Sequence, residues 1–353
     1  MIDGHGGNIF DKARELGCHP MEILDMSSNV NPLGPMPELM THLHACLDRI
    51  VALPEANAGE ITRAFANHHG IDPDTVLAGN GTTQLIHILP AALKMQKALI
   101  LGPTYADYAD ACRMHDVDFR FILSGESTAF HHHLDAVDCA PGDAVFICNP
   151  NNPTGTLIAA DAILSLCRRF PDTHFIIDES YLPFVPNGES NSLIGTGLPN
   201  LIVLNSMSKI FRIPGLRIGF VVASADIIER IRHYMMPWSV NTLAQAAVNY
   251  LMTHDREVTE FIEKTRRFLS EERQFVAAGL QQAPNIRVFP SVTSFILVKL
   301  ETLSAESVCR KLLADRILIR NCSNFEGLSD RFIRISLKTR DINQRFIAGF
   351  MTG

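Results

Sequence analysis

Residues 201–224 read LIVLNSMSKIFRIPGLRIGFVVAS, and this stretch gives the strongest indication of the fold. Two short apolar runs, LIVL and IGFVV, have the length and the β-branched content of buried strands. Between them lie a polar cluster, NSMSK, which ends in Lys209, and the turn dipeptide Pro214-Gly215. A lysine and two serines placed between buried strands predict a sheet with a polar site at its edge.

Apolar runs of the same kind precede this stretch and alternate with longer helical patterns. They read KALILGP, FRFIL, AVFICNP and HFIIDES. Strands that alternate with helices are typical of βα units and of a largely parallel sheet. The sequence therefore predicts an α/β protein whose large domain contains a mostly parallel sheet.

The pattern changes at the segment PWSV, after which residues 241–280 read as one long helix. The remainder has strand-like runs, SFILVKL, ILIRNC and FIRISL, around the helical run SAESVCRKLLADR, which favours a smaller α+β domain. A chain of 353 residues also exceeds the roughly 250 to 300 residues at which one core stops growing. We expect an N-terminal arm (1–35) that joins the small domain and the active site, a large domain (36–238), and a linking helix with the small domain (239–353).

Three of the predicted strands end in polar clusters. NPNNPTG (149–155) follows AVFIC, DESY (178–181) follows HFII, and NSMSK (205–209) follows LIVL. Ligands bind at the carboxyl ends of parallel strands. The three clusters therefore predict a single site at one edge of the sheet.

The residues of these clusters also have ordinary structural roles when each is taken alone. Asp178 suits a helix cap, Asn152 suits a turn, and Lys209 suits a surface lysine whose stem lies along the protein. Together with Tyr181 they suit a flat aromatic ligand that has a basic nitrogen and a phenolic oxygen. Asp178 would pair with the nitrogen, while Asn152 and Tyr181 would donate to the oxygen.

Hydroxyl groups, an arginine and a helix start predict a phosphate site beside this ring site. Ser206 and Ser208 supply the hydroxyl groups, and Arg217 is the arginine. Gly81 and Thr82 of GNGTTQ stand at the helix start. Gln84 occupies the third glycine position of a dinucleotide fingerprint, and the segment lacks the lysine of a Walker loop. A phosphate site, a ring site and a lysine amine together describe pyridoxal phosphate held as a Schiff base.

These motifs resemble those of the fold-type I pyridoxal-phosphate enzymes, the aspartate aminotransferase superfamily, over nearly the whole chain. The most specific of them is S-x-S-K with an arginine eight residues later. The resemblance implies that Lys209 forms the Schiff base, that Asp178 pairs with the pyridinium nitrogen, and that Tyr105 stacks on the ring. Packing in the core is the alternative role of Tyr105. The remaining implied cofactor contacts are Asn152 and Tyr181 at the ring oxygen, and Gly81, Thr82, Ser206, Ser208 and Arg217 at the phosphate.

Two branches of the superfamily share these motifs: histidinol-phosphate aminotransferases and the L-threonine-O-3-phosphate decarboxylases of cobalamin biosynthesis. The segments that resemble the decarboxylases are HGGNIFDKARELG (5–17), ILDMSSNVNPLGP (23–35), PWSVNTLAQAA (237–247) and ILIRNCSNFEGL (317–328). This resemblance implies decarboxylation of threonine phosphate, or of serine phosphate, which differs by one methyl group. Histidinol-phosphate aminotransferase is the alternative, and a regulatory domain that senses pyridoxal phosphate is a non-enzymatic one.

The resemblance also implies where such a small phosphorylated substrate binds. Arg334 matches the carboxylate-binding arginine of the superfamily, and Arg320 lies one strand away. We expect Arg320 and His5 at the phosphate, and Arg334 with Asn152 nearer the carboxylate. Either arginine, taken alone, also suits an exposed strand position. Anchoring both anions would turn the carboxylate out of the plane of the ring, as decarboxylation requires.

Two positions depart from the pattern of the superfamily. Leu53-Pro54-Glu55 stands where Tyr-Pro-Asp is common, with a tyrosine that reaches the site of the neighbouring subunit. Ser294-Phe295 stands where many relatives have Asn-Phe. The homodimer that the resemblance implies therefore lacks one expected contact across the subunits.

Composition excludes several other classes of function. The net charge of −7 argues against a nucleic-acid-binding surface. The eight scattered cysteines contain no C-x-x-C pair, which favours reduced thiols in a cytoplasmic protein. We expect no signal peptide and no membrane span. The run His131 to His133 lacks partners at zinc-ligand spacing, so we expect a solvated loop and no metal.

Overall fold

The computed structural model describes residues 6–351. Its α-helices are α1 (Ile9–Leu16), α2 (Pro37–Ala45), α3 (Gly59–His69), α4 (Gly81–Ala92), α5 (Asp107–Met114), α6 (Ala160–Arg169), α7 (Met207–Ile210), α8 (Ala225–Arg232), α9 (Thr242–Thr253), α10 (Asp255–Leu280), α11 (Ala305–Ala314) and α12 (Arg340–Met351). Its strands are β1 (Leu24–Asp25), β2 (Val76–Gly79), β3 (Lys97–Gly102), β4 (Asp118–Leu123), β5 (Ala144–Cys148), β6 (His174–Asp178), β7 (Leu201–Ser206), β8 (Gly219–Val222), β9 (Ile286–Val288), β10 (Phe295–Leu300), β11 (Ile317–Leu318), β12 (Arg320–Asn321) and β13 (Phe332–Ser336). Among the described residues, no helix has the length and hydropathy of a membrane span.

The large sheet has seven strands in the order β2-β8-β7-β6-β5-β3-β4. From β4 to β7 the strands are parallel, which confirms the predicted α/β class with a mostly parallel sheet. Strand β8, from the run IGFVVAS, pairs antiparallel with both of its neighbours, β7 and β2. Residues 207–218, which contain α7, connect β7 to β8.

The core lies on both faces of this sheet. Along β5, Ala144, Phe146 and Cys148 pack into one apolar cluster, while Val145 and Ile147 pack into the cluster on the other face. A strand that is buried on both faces reads as a continuous apolar run, because the side chains that alternate between the faces are all apolar. This explains why β5 was recognisable from its sequence.

The smaller α+β part was also predicted correctly in kind. Four antiparallel strands form a second sheet in the order β12-β13-β10-β9, and β1 pairs in parallel with β11. The run ILIRNC is divided at Ile319, because β11 pairs with β1 whereas β12 pairs with β13. The proposed limits of the arm and the two domains, at residues 35 and 238, remain predictions.

The single long helix predicted for residues 241–280 is wrong, since α9 and α10 are separate helices. His254 lies between them with φ −118° and ψ 50°, outside the helical region. The Thr253 hydroxyl donates to the carbonyl of Asn249 at 2.7 Å and satisfies one carbonyl at the end of α9. Asp255 and Glu257 lie in the first turn of α10, where acidic side chains stabilise the positive end of a helix.

Candidate active site

Lys209 lies on α7, next to the edge where β5, β6 and β7 end. Its half-buried side chain lines two adjoining cavities. The inner cavity, of about 80 Å³, is lined by Gly81, Thr82, Thr83, Tyr105, Tyr108, Cys148, Asn152, Asp178, Ser180, Tyr181, Ser206, Ser208, Lys209 and Arg217. The outer cavity, of about 150 Å³, is lined by Gly6, Ser27, Ser28, Asn29, Tyr105, Ala106, Asn152, Tyr181, Lys209, Arg320, Asn324, Phe325 and Arg334.

The two cavities contain the site residues that the sequence predicted. All ten predicted cofactor contacts line the inner cavity. Of the predicted substrate contacts, Asn152, Arg320 and Arg334 line the outer cavity, whereas His5 lies outside the described residues. The strand-end rule therefore located the site, and the role of each residue remains a prediction.

The predicted phosphate site of the inner cavity is a close contact between the start of α4 and Arg217. Gly81 has φ +77°, and a Cβ added there would lie 2.5 Å from Nη2 of Arg217. Arg217 itself has φ +55°, a left-handed conformation that costs energy in a residue with a side chain. A Cβ at Gly219 would likewise lie 2.7 Å from the backbone nitrogen of Thr82. The cradle therefore requires glycine at two positions, and it places the guanidinium of Arg217 against the start of α4, where free backbone N–H groups attract an anion.

The opposite end of the inner cavity is formed by a buried carboxylate. Asp178 accepts a hydrogen bond from the hydroxyl of Tyr108 at 2.8 Å and another from the backbone N–H of Ser180 at 2.9 Å. Burial raises the pKa of Asp178, while these hydrogen bonds and the charge of Lys209 oppose the rise. A cation placed beside Asp178 would compensate the negative charge of the buried carboxylate, and a protonated ring nitrogen is such a cation.

Tyr108 was missed by the sequence reasoning. It is fully buried and stacks on Phe146, with ring centroids 5.3 Å apart. It also meets the predicted stacking residue, Tyr105, edge to face at 5.8 Å. The available signal was the repeat of tyrosine in TYADY, three residues apart, which places both rings on neighbouring faces of the turn that starts α5.

A hydrogen-bonded chain holds the tyrosine expected at the ring oxygen. Asn29 donates to the hydroxyl of Tyr181 at 3.3 Å, and Ser336 donates to the amide oxygen of Asn29 at 2.6 Å. Burial raises the pKa of Tyr181 to about 12, although the charge of Arg334 acts in the opposite direction. Asn29 was also missed, because its contact depends on how the N-terminal segment crosses the sheet edge.

The amine of Lys209 lies in a strongly cationic environment. Its pKa is lowered to about 8, chiefly by burial and also by the charges of Arg217 and Arg334. The carboxylates of Asp178 and Asp107 act in the opposite direction. An amine with a pKa of about 8 is roughly half neutral at pH 8, and the neutral form is the nucleophile that attacks an aldehyde.

Arg334 lines the outer cavity and contacts Asn152, which lines both cavities. It is buried, and it donates to the side-chain oxygen of Asn152 and, at 2.6 Å, to the backbone carbonyl of Ser27. Its Nε has no hydrogen-bond partner among the described residues. Burial lowers the pKa of Arg334, which means that the charged form lacks full compensation. A carboxylate ligand would supply both the charge and the acceptor that this guanidinium lacks.

Arg320 lies opposite Arg334 in the pairing of β12 with β13. Its guanidinium donates to the side-chain oxygen of Asn324 at 2.8 Å and lies 5.2 Å from the ring centroid of Phe325. Neither arginine forms an ion pair with a carboxylate of the described chain. Two uncompensated cations in one small cavity indicate a ligand with more than one negative charge.

The N-terminal segment forms the wall beside these arginines. The backbone N–H of Gly7 donates to the hydroxyl of Ser27 at 2.8 Å, and a Cβ at Gly6 would lie 2.5 Å from the carbonyl oxygen of Ser27. The glycine pair therefore allows the arm to lie directly on Ser27. His5 precedes Gly6 in the chain, and its predicted substrate contact stays a prediction.

The two departures from the superfamily pattern lie in different surroundings. Ser294 is fully buried, and its hydroxyl has no hydrogen-bond partner among the described residues. Leu53 is 74% exposed. Among residues 6–351, no group of three or more histidine, cysteine, aspartate or glutamate side chains could hold a metal ion.

Comparison of the sequence with a family model identifies the family of this chain. The model of aminotransferase class I and II matches residues 21–350. The chain is 34% identical to the threonine-phosphate decarboxylase of Salmonella typhimurium over 351 residues, which cover 98% of this chain and 94% of that protein. It is 30% identical to the histidinol-phosphate aminotransferase of Methanothermobacter thermautotrophicus over 350 residues, which cover 97% and 92%.

A solved structure is similar over the same length. The L-threonine-O-3-phosphate decarboxylase from Porphyromonas gingivalis superposes with a TM-score of 0.85 at 32% identity, covering 94% of this chain and 99% of that one. The chain also matches an adenosylcobalamin biosynthesis bifunctional protein of Leptospira interrogans at 30% identity, and it spans 40% of the length of that relative.

Proposed function

The chain belongs to the class I and II aminotransferase family, and on that premise we propose that it decarboxylates L-threonine O-3-phosphate. Its cofactor is pyridoxal 5′-phosphate. The proposed products are carbon dioxide and (R)-1-amino-2-propanol O-phosphate, an intermediate for the nucleotide loop of cobalamin. L-Serine O-phosphate would give ethanolamine phosphate by the same chemistry.

The residues of the inner cavity fit the cofactor. The cradle of Gly81, Thr82 and Arg217, with Ser206 and Ser208, would hold its phosphate. The buried carboxylate of Asp178 supplies a partner for a protonated ring nitrogen, and the lowered pKa of Lys209 suits an amine that reacts with an aldehyde. When bound, the cofactor supplies an electron sink for negative charge that develops at the α carbon of the substrate.

The ring oxygen and the ring face have further proposed contacts. We propose that Asn152 and Tyr181, which line the inner cavity, donate to the ring oxygen, and that Tyr105 stacks on the ring. Asn29 orients Tyr181 through the hydrogen bond described above. These groups would fix the plane of the ring, so that the arginines of the outer cavity decide which substrate bond stands out of that plane.

Arg320 and Arg334 face each other beside Lys209, and this pair is the main support for the decarboxylase proposal. A phosphorylated amino acid has two anionic groups, and it would engage both arginines at once. We propose that Arg320, with His5, binds the phosphate, and that Arg334, with Asn152, binds the carboxylate. The carboxylate would then be held by a group that also fixes its direction, because an arginine contacts a carboxylate through a planar fork.

Histidinol-phosphate aminotransferase is the second candidate function. The relative from Methanothermobacter thermautotrophicus covers the chain almost as fully as the decarboxylases do. Histidinol phosphate has one anionic group, so the second arginine would serve the dicarboxylic acid that exchanges the amino group. Parallel assays of threonine phosphate, serine phosphate and histidinol phosphate with 2-oxoglutarate separate the two activities. Glutamate formed in proportion to histidinol phosphate would contradict the decarboxylase proposal.

We also propose that the enzyme is a homodimer. Two segments carry exposed apolar side chains and are joined by a hydrogen bond from the backbone N–H of Trp238 to the carbonyl of Ala56 at 2.8 Å. The exposed residues are Leu47, Ile50, Val51 and Leu53 in one segment, and Tyr234, Met236 and Trp238 in the other. A patch of this kind is typical of a subunit interface. Sedimentation equilibrium at micromolar concentration would test it, and a single species of 39.1 kDa would contradict it.

The cellular location and the domain limits complete the proposal. All eight cysteines are free thiols, and five of them are buried, which supports a reducing compartment and thus the cytoplasm. We retain the arm (1–35), the large domain (36–238) and the small domain with its linking helix (239–353). Limited proteolysis that cuts first near residue 238 would support this division.

A further inference from the structure

The outer cavity has one aromatic side chain for which no cofactor contact is proposed. Phe325 lines this cavity next to Arg320, and it is only 6% exposed. Most other residues that line the cavity are polar or charged, and Ala106 contributes a small apolar side chain. An apolar surface in an otherwise polar substrate cavity is typical of a contact for an apolar part of the ligand.

Phe325 is held in place from behind. It packs into an apolar cluster with Phe130, Phe289, Leu297, Cys322 and Phe332. Its backbone N–H donates to the carbonyl of Cys322 at 3.1 Å, and its carbonyl accepts from Leu328 at 3.0 Å. The position of the ring is therefore set by the small domain. A ring fixed in this way keeps a defined distance to any ligand on Arg320.

The chemistry of the substrate places an apolar group beside Arg320. In threonine phosphate the methyl group and the phosphoester oxygen are attached to the same carbon atom. If Arg320 holds the phosphate, the methyl group lies near its guanidinium, and a side chain packed against that guanidinium can contact it. That side chain is Phe325, whose ring centroid lies 5.2 Å from the guanidinium carbon of Arg320.

We propose that Phe325 is the specificity-determining contact for the β-methyl group, and that it makes the enzyme prefer threonine phosphate over serine phosphate. The inference rests on the proposed function and names the substrate class more narrowly. Because a methyl group in a fitted pocket changes rates by about 10-fold to 200-fold, the wild-type ratio of the two kcat/KM values should reach at least about tenfold.

Substitution of Phe325 tests this directly. Phe325→Ala should lower the preference for threonine phosphate by about tenfold, because the methyl contact is lost for one substrate and absent for the other. Phe325→Leu keeps apolar bulk and should lower it less. Both variants also weaken the support of Arg320, but that loss affects the two substrates equally and leaves the ratio unchanged. Phe289→Leu, in the same cluster but outside the cavity, is the matched control and should keep the wild-type ratio.

A second measurement does not depend on turnover. Dissociation constants of 1-amino-2-propanol phosphate and ethanolamine phosphate, measured by calorimetric titration of the holoenzyme, should show the same preference, and the same loss in Phe325→Ala. A wild-type enzyme that releases carbon dioxide from both substrates at equal kcat/KM, or a Phe325→Ala variant with an unchanged ratio, would overturn the inference and leave the proposed function standing. Release of no carbon dioxide from either substrate would overturn both.

Discussion

Arg320 and Arg334 are directly opposed across the antiparallel pair of β12 and β13. Like charges in this arrangement destabilise a sheet. No ion pair with a carboxylate of the described residues relieves either of them, and the Nε of Arg334 is left without an acceptor. The two guanidinium groups therefore repel each other, and a doubly anionic ligand bound between them would compensate their charges. This cavity beside Lys209 therefore suits the phosphorylated amino acid that we propose as the substrate.

Replacing either arginine with lysine should lower kcat/KM for threonine phosphate by more than about tenfold, since a point charge cannot reproduce the planar fork. Arg331→Lys, just before β13, is the matched control, because Arg331 is exposed and donates to the carbonyl of Glu301. Steady-state kinetics of the three variants provide the comparison. Equal losses in all three would mean that the effect reports on folding of the small sheet.

Tyr108→Phe should weaken cofactor binding by about tenfold, because a hydrogen bond to an ionised group contributes roughly 1.5 to 3 kcal/mol. Without its hydroxyl, the pKa of Asp178 rises further and the carboxylate pairs less well with a ring nitrogen. Tyr250→Phe is a matched control, since Tyr250 donates to Glu257 at 2.7 Å on the distant helices α9 and α10. The dissociation constant of pyridoxal phosphate is the measurement. A Tyr108→Phe enzyme that binds the cofactor as well as Tyr250→Phe does would exclude this role.

Gly81→Ala should raise the dissociation constant of the cofactor by more than about tenfold, because Arg217 must move away from the new Cβ and loses charge-assisted contacts to the phosphate. Gly70→Ala is the control, since Gly70 also has a positive φ, +64°, but has open space around its Cβ position. Both variants should lose about 1 to 2 kcal/mol of stability from backbone strain. Only Gly81→Ala should lose cofactor affinity, and an equal effect in both would contradict the cradle.

The lowered pKa of Lys209 predicts a pH dependence in the apoprotein. A lysine reacts with acetic anhydride as the neutral amine, so labelling of Lys209 should rise with pH and be half-maximal near its pKa of about 8. Labelling of a lysine in a model peptide is half-maximal only near its pKa of about 10.4. Mass spectrometry of peptides labelled at a series of pH values gives the midpoint. In Arg217→Gln the midpoint should move upward, because one of the charges that oppose protonation is removed, and a downward shift would contradict this origin.

Much of the fold and of the site followed from the sequence. Buried parallel strands read as continuous apolar runs, and polar residues directly after them meet at one edge, so Asn152, Asp178 and Lys209 were located by local pattern alone. The short edge strand β2 and the short strand β9 were not predicted, because three or four residues hold too little periodicity.

The contacts that depend on assembly in three dimensions could not be predicted. Tyr108 meets Asp178 across 70 positions of sequence, and Asn29 meets Tyr181 across 152. The register that sets Arg320 against Arg334 depends on the division of ILIRNC at Ile319, where the chain leaves one sheet and joins another. No local pattern determines that point, since both halves of the run are equally strand-like.

Release of carbon dioxide from the substrate distinguishes decarboxylation from transamination. The holoenzyme is incubated with threonine phosphate labelled at its carboxyl carbon, and trapped labelled carbon dioxide is compared with 1-amino-2-propanol phosphate. We predict equal amounts of the two, no keto acid, and no release by Lys209→Ala. An enzyme that releases no labelled carbon dioxide, but forms stoichiometric glutamate from histidinol phosphate and 2-oxoglutarate, would contradict the account.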